Sequence, residues 1–209
     1  MRTGKGRRAR CEAVVIGGSA GGPSALATIL SKIPERFAVP LLVVQHLHPS
    51  DEGLFAGYVA GLTRMTVVEP SDKTRIEPGC LYTAPANYHM LVERDGTIGL
   101  SVEERVNWSR PSIDVLFESA ALAWGGGLVA VLLSGANSDG ALGLQAVRGT
   151  GGLAIAQEPA EAESPVMPQA AIDAGAVDEV LRAEEIGLLL ARLGGGEKHD
   201  CVRSQRCNT

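Results

Sequence analysis

Several signals that would assign this 209-residue chain to a common class are missing. No apolar run approaches the roughly 20 residues that span a bilayer, and no apolar segment with a cleavage site follows the N-terminal bases. The 4 cysteines include no CxxC pair, so the spacing typical of a metal site is absent. These absences predict a cytoplasmic protein in a reducing compartment, without membrane insertion and without a bound metal.

Aromatic residues and positive charge are also scarce. Only 4% of the residues are aromatic against 45% hydrophobic overall, so the core must be mainly aliphatic, and the formal net charge is −5. The first ten residues carry five of the bases, which leaves an acidic body and argues against nucleic-acid binding. We predict a basic disordered leader at residues 1–11, one folded domain at residues 12–193 and a disordered polar tail at residues 194–209.

Short apolar runs alternate with helical patterns along most of the chain. Buried strands are predicted at Ala13–Ile16 and in "VPLLVVQ", "GLVAVLLSG" and "GGLAIAQ", with a helical stripe such as Pro23–Ile33 between them. Continuous apolar strands separated by helices predict a doubly wound α/β fold, a mainly parallel sheet with helices on both faces. Between Thr66 and Ser101 the pattern changes to short alternating runs around Asp95-Gly96, which predicts a small antiparallel hairpin excursion.

Polar residues follow three of the predicted strands. Ser19 follows the first strand in "GGSAGG", His46 follows the second, and Asp139 lies in "SGANSDG" after the third. The carboxyl ends of parallel strands share one edge of the sheet, and ligands bind there. We therefore expect a serine, a histidine and an aspartate, the residue set of a hydrolytic triad, to lie close together.

The glycine-rich stretch at the end of the first strand does not fit a phosphate cradle. Ser19 occupies the third position where a dinucleotide loop needs glycine, and the Lys of a P-loop is missing. The stretch does match G-x-S-x-G at Gly17, Ser19 and Gly21, a turn that exposes a serine before a helix N-terminus. A serine hydroxyl is a weak nucleophile that needs a neighbouring base, and histidine suits that role near neutral pH.

Other residues compete for the same roles. His48 and His89 are alternative bases, and Asp51 and Asp114 are alternative carboxylates. A simpler interpretation of Asp139 is that it caps the helix that follows it. Residue types and spacing alone leave these alternatives open.

Several segments together resemble the catalytic domain of the CheB-type chemotaxis protein-glutamate methylesterases. The similarity runs in family order from residue 12 to residue 193, nearly the whole chain. The matching segments are "VVIGGSAGG", "VVQHLHPS", "YTAPANYHMLV", "SRPSIDVLFESAA", "VLLSGANSDGALGLQAVRGTGG", "AIAQEPAEAESPVMPQAAI" and "GAVDEVL".

This resemblance implies roles for particular residues. Ser19, His46 and Asp139 would be the nucleophile, the base and the orienting acid, with the backbone N–H groups of Ala20 and Ala136 as oxyanion-hole candidates. The implied reaction is hydrolysis of glutamyl γ-methyl esters on the cytoplasmic domain of chemoreceptors, with release of methanol and with possible deamidation of receptor glutamines. No metal or organic cofactor is expected.

Two features depart from the family pattern. Family enzymes usually carry an N-terminal receiver domain, for which the sequence before the first strand offers no room, so we expect a stand-alone catalytic domain with a separate regulatory protein as a possible partner. Ala136 and Asn137 stand where methionine and glycine are usual, which affects substrate fit. Two alternative functions remain: an esterase or amidase with another substrate, and a non-catalytic receptor-binding signalling module.

Overall fold

The computed structural model describes residues 10–194, and this range forms a seven-stranded sheet, a three-stranded sheet and six α-helices. The strands of the larger sheet are β1 (Ala13–Gly18), β2 (Leu41–Gln45), β3 (Thr66–Val68), β5 (Cys80–Thr83), β8 (Leu128–Leu132), β9 (Leu153–Gln157) and β10 (Glu179–Leu181). All pairings in this sheet are parallel, and the strands lie side by side in the order β10-β9-β8-β1-β2-β5-β3.

The helices cover both faces of this sheet. They are α1 (Gly22–Leu30), α2 (Leu54–Ala60), α3 (Ile113–Trp124), α4 (Ala141–Gly149), α5 (Val166–Asp173) and α6 (Ala183–Gly194). Strand β1 is buried along its whole length and its side chains alternate between two hydrophobic clusters. Val15 packs with residues of α3 and α4, whereas Val14 packs with residues of α1 and α6. This three-layer arrangement confirms the predicted doubly wound α/β fold.

The smaller sheet is antiparallel and consists of β4 (Thr74–Arg75), β6 (His89–Val92) and β7 (Thr97–Ser101). The predicted hairpin turn at Asp95-Gly96 joins β6 to β7, with Gly96 at φ 80° and the Asp95 carboxylate accepting from the Thr97 N–H at 3.1 Å. The hairpin packs on α3, where Ser119 Oγ accepts from the Val92 N–H at 3.1 Å. The predicted antiparallel excursion is therefore confirmed for its central part.

The extent of that excursion is corrected by the structure. Strands β3 and β5 lie inside the segment predicted to be antiparallel, yet both belong to the parallel sheet, where β5 pairs with β2 and β3 pairs with β5. Both strands are short and lie at or next to the sheet edge, and β3 is partly exposed. Edge strands alternate in polarity just as hairpin strands do, so their pattern could not assign them to a sheet.

The predicted leader and tail lie mostly outside the described residues and stay predictions. At the boundaries, Cys11 is 8% exposed and belongs to the core. At the other end, Gly194 is the last residue of α6, so the packed structure reaches at least from residue 11 to residue 194. No helix within residues 10–194 is both long enough and apolar enough to cross a membrane.

The three central strands place their loops at one edge. Register pairs Gly18 with Gln45 and Gly17 with Leu132, so the residues after β1, β2 and β8 emerge side by side. These loops contain Ser19, His46 and Asp139 respectively.

Candidate active site

Two of the three predicted side chains meet directly. His46 Nε2 lies 2.8 Å from Asp139 Oδ2. The Asp139 side chain is completely buried, whereas 12% of the His46 side chain is exposed. A buried carboxylate therefore holds an imidazole whose edge still reaches solvent.

Five donors surround the Asp139 carboxylate. Apart from the His46 ring, they are two side chains and two backbone N–H groups: Asn107 Nδ2 (3.0 Å), Ser112 Oγ (2.9 Å), Ile113 N (2.7 Å) and Asp114 N (3.2 Å). Burial alone would raise the pKa of Asp139, but the hydrogen bonds from His46, Asn107 and Ile113 and the charge of His46 outweigh it and lower the pKa to about 2. Asp139 is therefore ionised at neutral pH.

The capping interpretation of Asp139 is wrong for the helix that follows it. Gly140, with φ 97°, occupies the N-cap of α4 without a side-chain hydrogen bond. Asp139 instead accepts from the Ile113 and Asp114 N–H groups, which belong to the first turn of α3. The free N–H groups and dipole of that helix end favour a negative charge there.

Asp114 provides the reciprocal contact. Its Oδ1 accepts from the Gly140 N–H at 2.9 Å and from the Gly143 N–H at 2.7 Å, at the start of α4. The Asn107 amide donates to Asp114 Oδ2 at 2.8 Å as well as to Asp139, so one amide bridges the two carboxylates. Burial and the negative charge of Asp139 raise the pKa of Asp114 to about 6, although the hydrogen bonds from Gly143, Asn107 and Gly140 oppose the shift.

The contact with Asp139 determines which ring nitrogen of His46 can act as a base. An ionised carboxylate accepts from Nε2–H, so this hydrogen bond assigns the proton of the neutral ring to Nε2. Nδ1 is then the free acceptor, and Ser109 Oγ lies 3.4 Å from it. That distance is long for a hydroxyl donor, so Nδ1 is only weakly engaged.

Ser19 lies at the same edge but does not hydrogen-bond to His46. The Ser19 N–H donates to Ser134 O at 2.9 Å, and Gln45 Nε2 donates to Ser19 O at 2.9 Å. Its side chain is half-buried, and Ser19 Oγ forms no hydrogen bond within residues 10–194. The expected contact between Ser19 Oγ and the imidazole is therefore not formed, whereas the expected contact between Asp139 and His46 is.

The glycines around Ser19 are required by close approach. A Cβ at Gly22 would lie 2.6 Å from Gln45 Oε1, and one at Gly135 would lie 3.0 Å from Ser19 Cβ and 2.4 Å from Met167 Cε. Gly21 has φ 77°, which side-chain-bearing residues rarely adopt. The loop can therefore approach β2 and the loop after β8 only with glycine at these positions.

The two predicted oxyanion donors are available. Ala20 and Ala136 are both exposed, and neither backbone N–H donates a hydrogen bond in the part of the chain that the structure describes. Ser134 fixes the loops beside them, because its Oγ donates to Ala20 O at 2.7 Å and accepts from the Ser164 N–H at 2.8 Å.

Apart from Asp114, which lies beside Asp139, the alternative residues are engaged away from this pair. His89 is 2% exposed and bonds to Glu104 O and the Ser112 N–H, which links the hairpin to the loop before α3. His48 is exposed and contacts Ser50 Oγ at 2.7 Å. Asp51 accepts from the Phe55 N–H in the first turn of α2. Within residues 10–194, no group of three or more histidines, cysteines or acidic residues is arranged to hold a metal.

The sequence patterns did not predict several residues that contribute to the site. Asn107, Ser109 and Ser112 reach the His46–Asp139 pair from the loop before α3, and Gln45 holds the carbonyl of Ser19. Gln45 is a buried polar residue at the end of an apolar strand, and that pattern could have marked it. The loop residues gave no local signal, because only the fold brings that loop to the sheet edge.

The fold and the site together define a class. A doubly wound α/β domain carries a buried aspartate–histidine pair and a glycine-flanked serine at the carboxyl edge of its sheet, the side-chain set of a serine hydrolase. The chain matches the family model described as CheB methylesterase over residues 14–190. It therefore belongs to the CheB methylesterase family, whose members are carboxylic ester hydrolases.

Individual relatives agree with this assignment. A putative protein-glutamate methylesterase/protein-glutamine glutaminase of Leptospira interrogans is 47% identical over 182 residues, which cover 87% of this chain and 94% of the relative. Protein-glutamate methylesterase/protein-glutamine glutaminase 2 of Pseudomonas aeruginosa is 38% identical over 192 residues, 88% of this chain and 55% of the relative. The crystal structure of the Thermotoga maritima CheB methylesterase catalytic domain matches with a TM-score of 0.83 and 32% identity, over 87% of this chain and 98% of that chain.

Proposed function

We propose that this chain hydrolyses glutamyl γ-methyl esters on chemoreceptors to glutamate and methanol, and deamidates receptor glutamines by the same route. The observation that carries the proposal is the 2.8 Å hydrogen bond between His46 and the buried Asp139, beside the Ser19 loop, in a member of this family. Relatives named for both activities support the pairing of ester and amide hydrolysis.

His46 Nδ1 acts as the general base in this mechanism. In the reaction Ser19 Oγ must come within hydrogen-bond reach of Nδ1, the ring nitrogen that Asp139 leaves free, and it gives up its proton as it attacks the ester carbonyl. Asp139, held ionised by its five donors, stabilises the imidazolium that forms. The free N–H groups of Ala20 and Ala136 donate to the developing oxyanion.

The tetrahedral intermediate then collapses. The bond to the methoxy oxygen breaks, that oxygen takes the proton from Nδ1, and methanol leaves an acyl-enzyme on Ser19. Water, deprotonated by Nδ1, attacks the acyl carbon, and Ser19 Oγ recovers the proton as glutamate is released. With glutamine as the substrate, ammonia leaves in place of methanol and the same acyl-enzyme follows.

The proposed substrate also implies a partner and a location for the protein. The partner is the methylated cytoplasmic domain of a chemoreceptor, which locates the protein in the cytoplasm. None of the steps above uses a metal or an organic cofactor. Regulation through a separate protein, and a catalytic domain at residues 12–193, remain part of this proposal.

Ser19 and Ser109 give a matched pair of serines for a test. Ser19→Ala should abolish methanol release from methylated receptor membranes, with a loss of about 10³-fold or more, because the nucleophile is gone. Ser109→Ala removes the hydroxyl near Nδ1 and should retain turnover within about tenfold. The reverse result would overturn the assignment of the nucleophile.

The same measurement separates the alternative functions. If the native chain hydrolyses simple esters but releases no methanol from receptor, it is an esterase with another substrate. If it binds receptor with no turnover of any ester, it is a binding module.

A further inference from the structure

Trp108 occupies an unfavourable position for folding. The Val106 N–H donates to Ser109 O at 3.2 Å and the Ser109 N–H donates to Val106 O at 2.9 Å, so these residues close a tight turn around Asn107 and Trp108. Both central residues have positive φ, 48° and 64°. Turns with two positive φ values favour Asn-Gly, and a tryptophan in the second position is strained.

Burial does not compensate for this strain. The Trp108 side chain is 93% exposed, the highest value among the large hydrophobic residues that the structure describes. Folding would favour a glycine there on both counts. Strain and exposure at one residue beside an active site point to a role in binding.

The turn is fixed relative to the catalytic pair. Asn107 is bonded through its amide to both Asp114 and Asp139, and the Arg110 guanidinium donates to Val102 O and Glu103 O at 2.6 and 2.8 Å. The next residue after Trp108 is Ser109, whose hydroxyl lies near His46 Nδ1. The backbone at Trp108 is therefore fixed next to the reacting centre.

Trp108 and His46 line the same small cavity, of about 90 Å³. Arg105 and Arg110 also line it, and within the described residues no carboxylate does. Arg105 is exposed, and its guanidinium forms no hydrogen bond or ion pair within residues 10–194. An uncommitted cation beside an exposed indole is complementary to an acidic segment that also carries an apolar side chain.

We propose that Trp108 and Arg105 dock the substrate polypeptide beside His46. The indole packs on an apolar side chain next to the glutamyl ester, and Arg105 pairs with a carboxylate of the same segment. This inference rests on the proposed function, and it names the residues that recognise the protein around the ester. Trp108 takes no part in the bond-breaking steps.

Fluorescence can test the contact without turnover, because the chain contains only 2 tryptophans. In a Ser19→Ala, Trp124→Phe protein all tryptophan emission comes from Trp108. The probe is a synthetic peptide with one glutamyl γ-methyl ester flanked by leucine and glutamate. A second batch of the same peptide, labelled with fluorescein, measures binding by anisotropy. Binding should shift the Trp108 emission to shorter wavelength and lower acrylamide quenching several-fold.

Kinetics supply the second readout. Trp108→Gly restores the favoured Asn-Gly turn, so its thermal midpoint should equal or exceed that of the native chain. Its KM for methylated receptor should nevertheless rise about tenfold or more, with kcat less affected, because an aromatic anchor is lost. Leu122→Ala, which removes a 74% exposed side chain from α3, is the matched control and should leave KM unchanged.

The outcomes separate the two proposals. If the peptide binds while the Trp108 emission stays unchanged, or if Trp108→Gly leaves KM unchanged, the docking proposal is wrong and the proposed function stands. If the native chain releases no methanol from receptor or peptide, the proposed function fails, and the docking proposal fails with it.

Discussion

At the scale of single residues, Asp139 serves the chemistry and the fold at once. Its Oδ2 accepts from His46 Nε2 and from the Ile113 N–H, so the carboxylate orients the ring while it satisfies the first turn of α3. The hydrogen bonds that these groups and Asn107 donate lower the pKa of Asp139 to about 2. A substitute that only accepts hydrogen bonds from the first turn of α3 therefore cannot replace Asp139, because it would not orient the His46 ring.

Asp139→Asn tests this division. With its oxygen at the Oδ1 position, the amide can still accept from Ser112 and the Asp114 N–H. Its nitrogen then lies at the Oδ2 position as a donor facing His46 Nε2, which favours the wrong tautomer of His46, and the charge that stabilises the imidazolium is lost. We expect kcat for methanol release to fall about 10³- to 10⁴-fold. The far-ultraviolet circular dichroism spectrum should stay native, and activity retained within tenfold would contradict this role for Asp139.

At the scale of secondary-structure elements, the crossing of α3 and α4 sets the distance between the two carboxylates. A Cβ at Gly143 would lie 2.5 Å from Phe117 Cβ and 3.1 Å from Asp114 Cα. This close approach allows the Gly143 N–H to reach Asp114 Oδ1 at 2.7 Å. The glycine in α4 therefore permits the reciprocal contacts between the two helix starts.

Gly143→Ala and Gly149→Ala form a matched pair on α4. Nothing lies within 4 Å of a Cβ at Gly149, so alanine there should leave the free energy of unfolding unchanged or raise it by up to ~1 kcal/mol. Alanine at Gly143 forces the helices apart and should lower it by about 1–3 kcal/mol. Urea denaturation measures both values, and equal effects at the two positions would refute the close-packing argument.

Element types were largely predictable, whereas sheet membership at the edges was not. The buried strands β1, β2, β8 and β9 were predicted because an apolar run covered on both faces has a clear local pattern. Strands β3 and β5 were wrongly assigned to the hairpin excursion. In the structure β5 pairs with β2, and β3 pairs with β5. Pairing is a long-range property that a local pattern does not contain.

At the scale of the whole molecule, stability should depend on the ionisation of Asp114. This buried carboxyl has a pKa raised to about 6, first by burial and then by the charge of Asp139. Between about pH 4 and pH 6 the folded chain holds a proton on Asp114 that the unfolded chain has released. The contribution of Asp114 protonation to the free energy of unfolding is therefore complete below about pH 4 and is lost as the pH rises through 6.

Asp114→Asn isolates this effect. As the pH rises from 4 to 7, ionisation of Asp114 should lower the free energy of unfolding of the native chain by on the order of 3 kcal/mol. The variant should not show this decrease. Its amide oxygen can still accept from the Gly140 and Gly143 N–H groups. Free energies of unfolding measured across this pH range in both proteins give the difference, and parallel curves would show that Asp114 is not the titrating group.

The sequence by itself determined the alternation of strands and helices, the glycine turn and the three strand ends that carry Ser19, His46 and Asp139. These features are local, since burial periodicity and turn residues are written over a few consecutive positions. Only the tertiary structure decided that Asp139 meets His46 at Nε2, that Asn107 bridges two carboxylates, and that Trp108 stands exposed beside them. Those contacts join residues up to 93 positions apart, and the packing of α3 against α4 and the sheet edge brings them together.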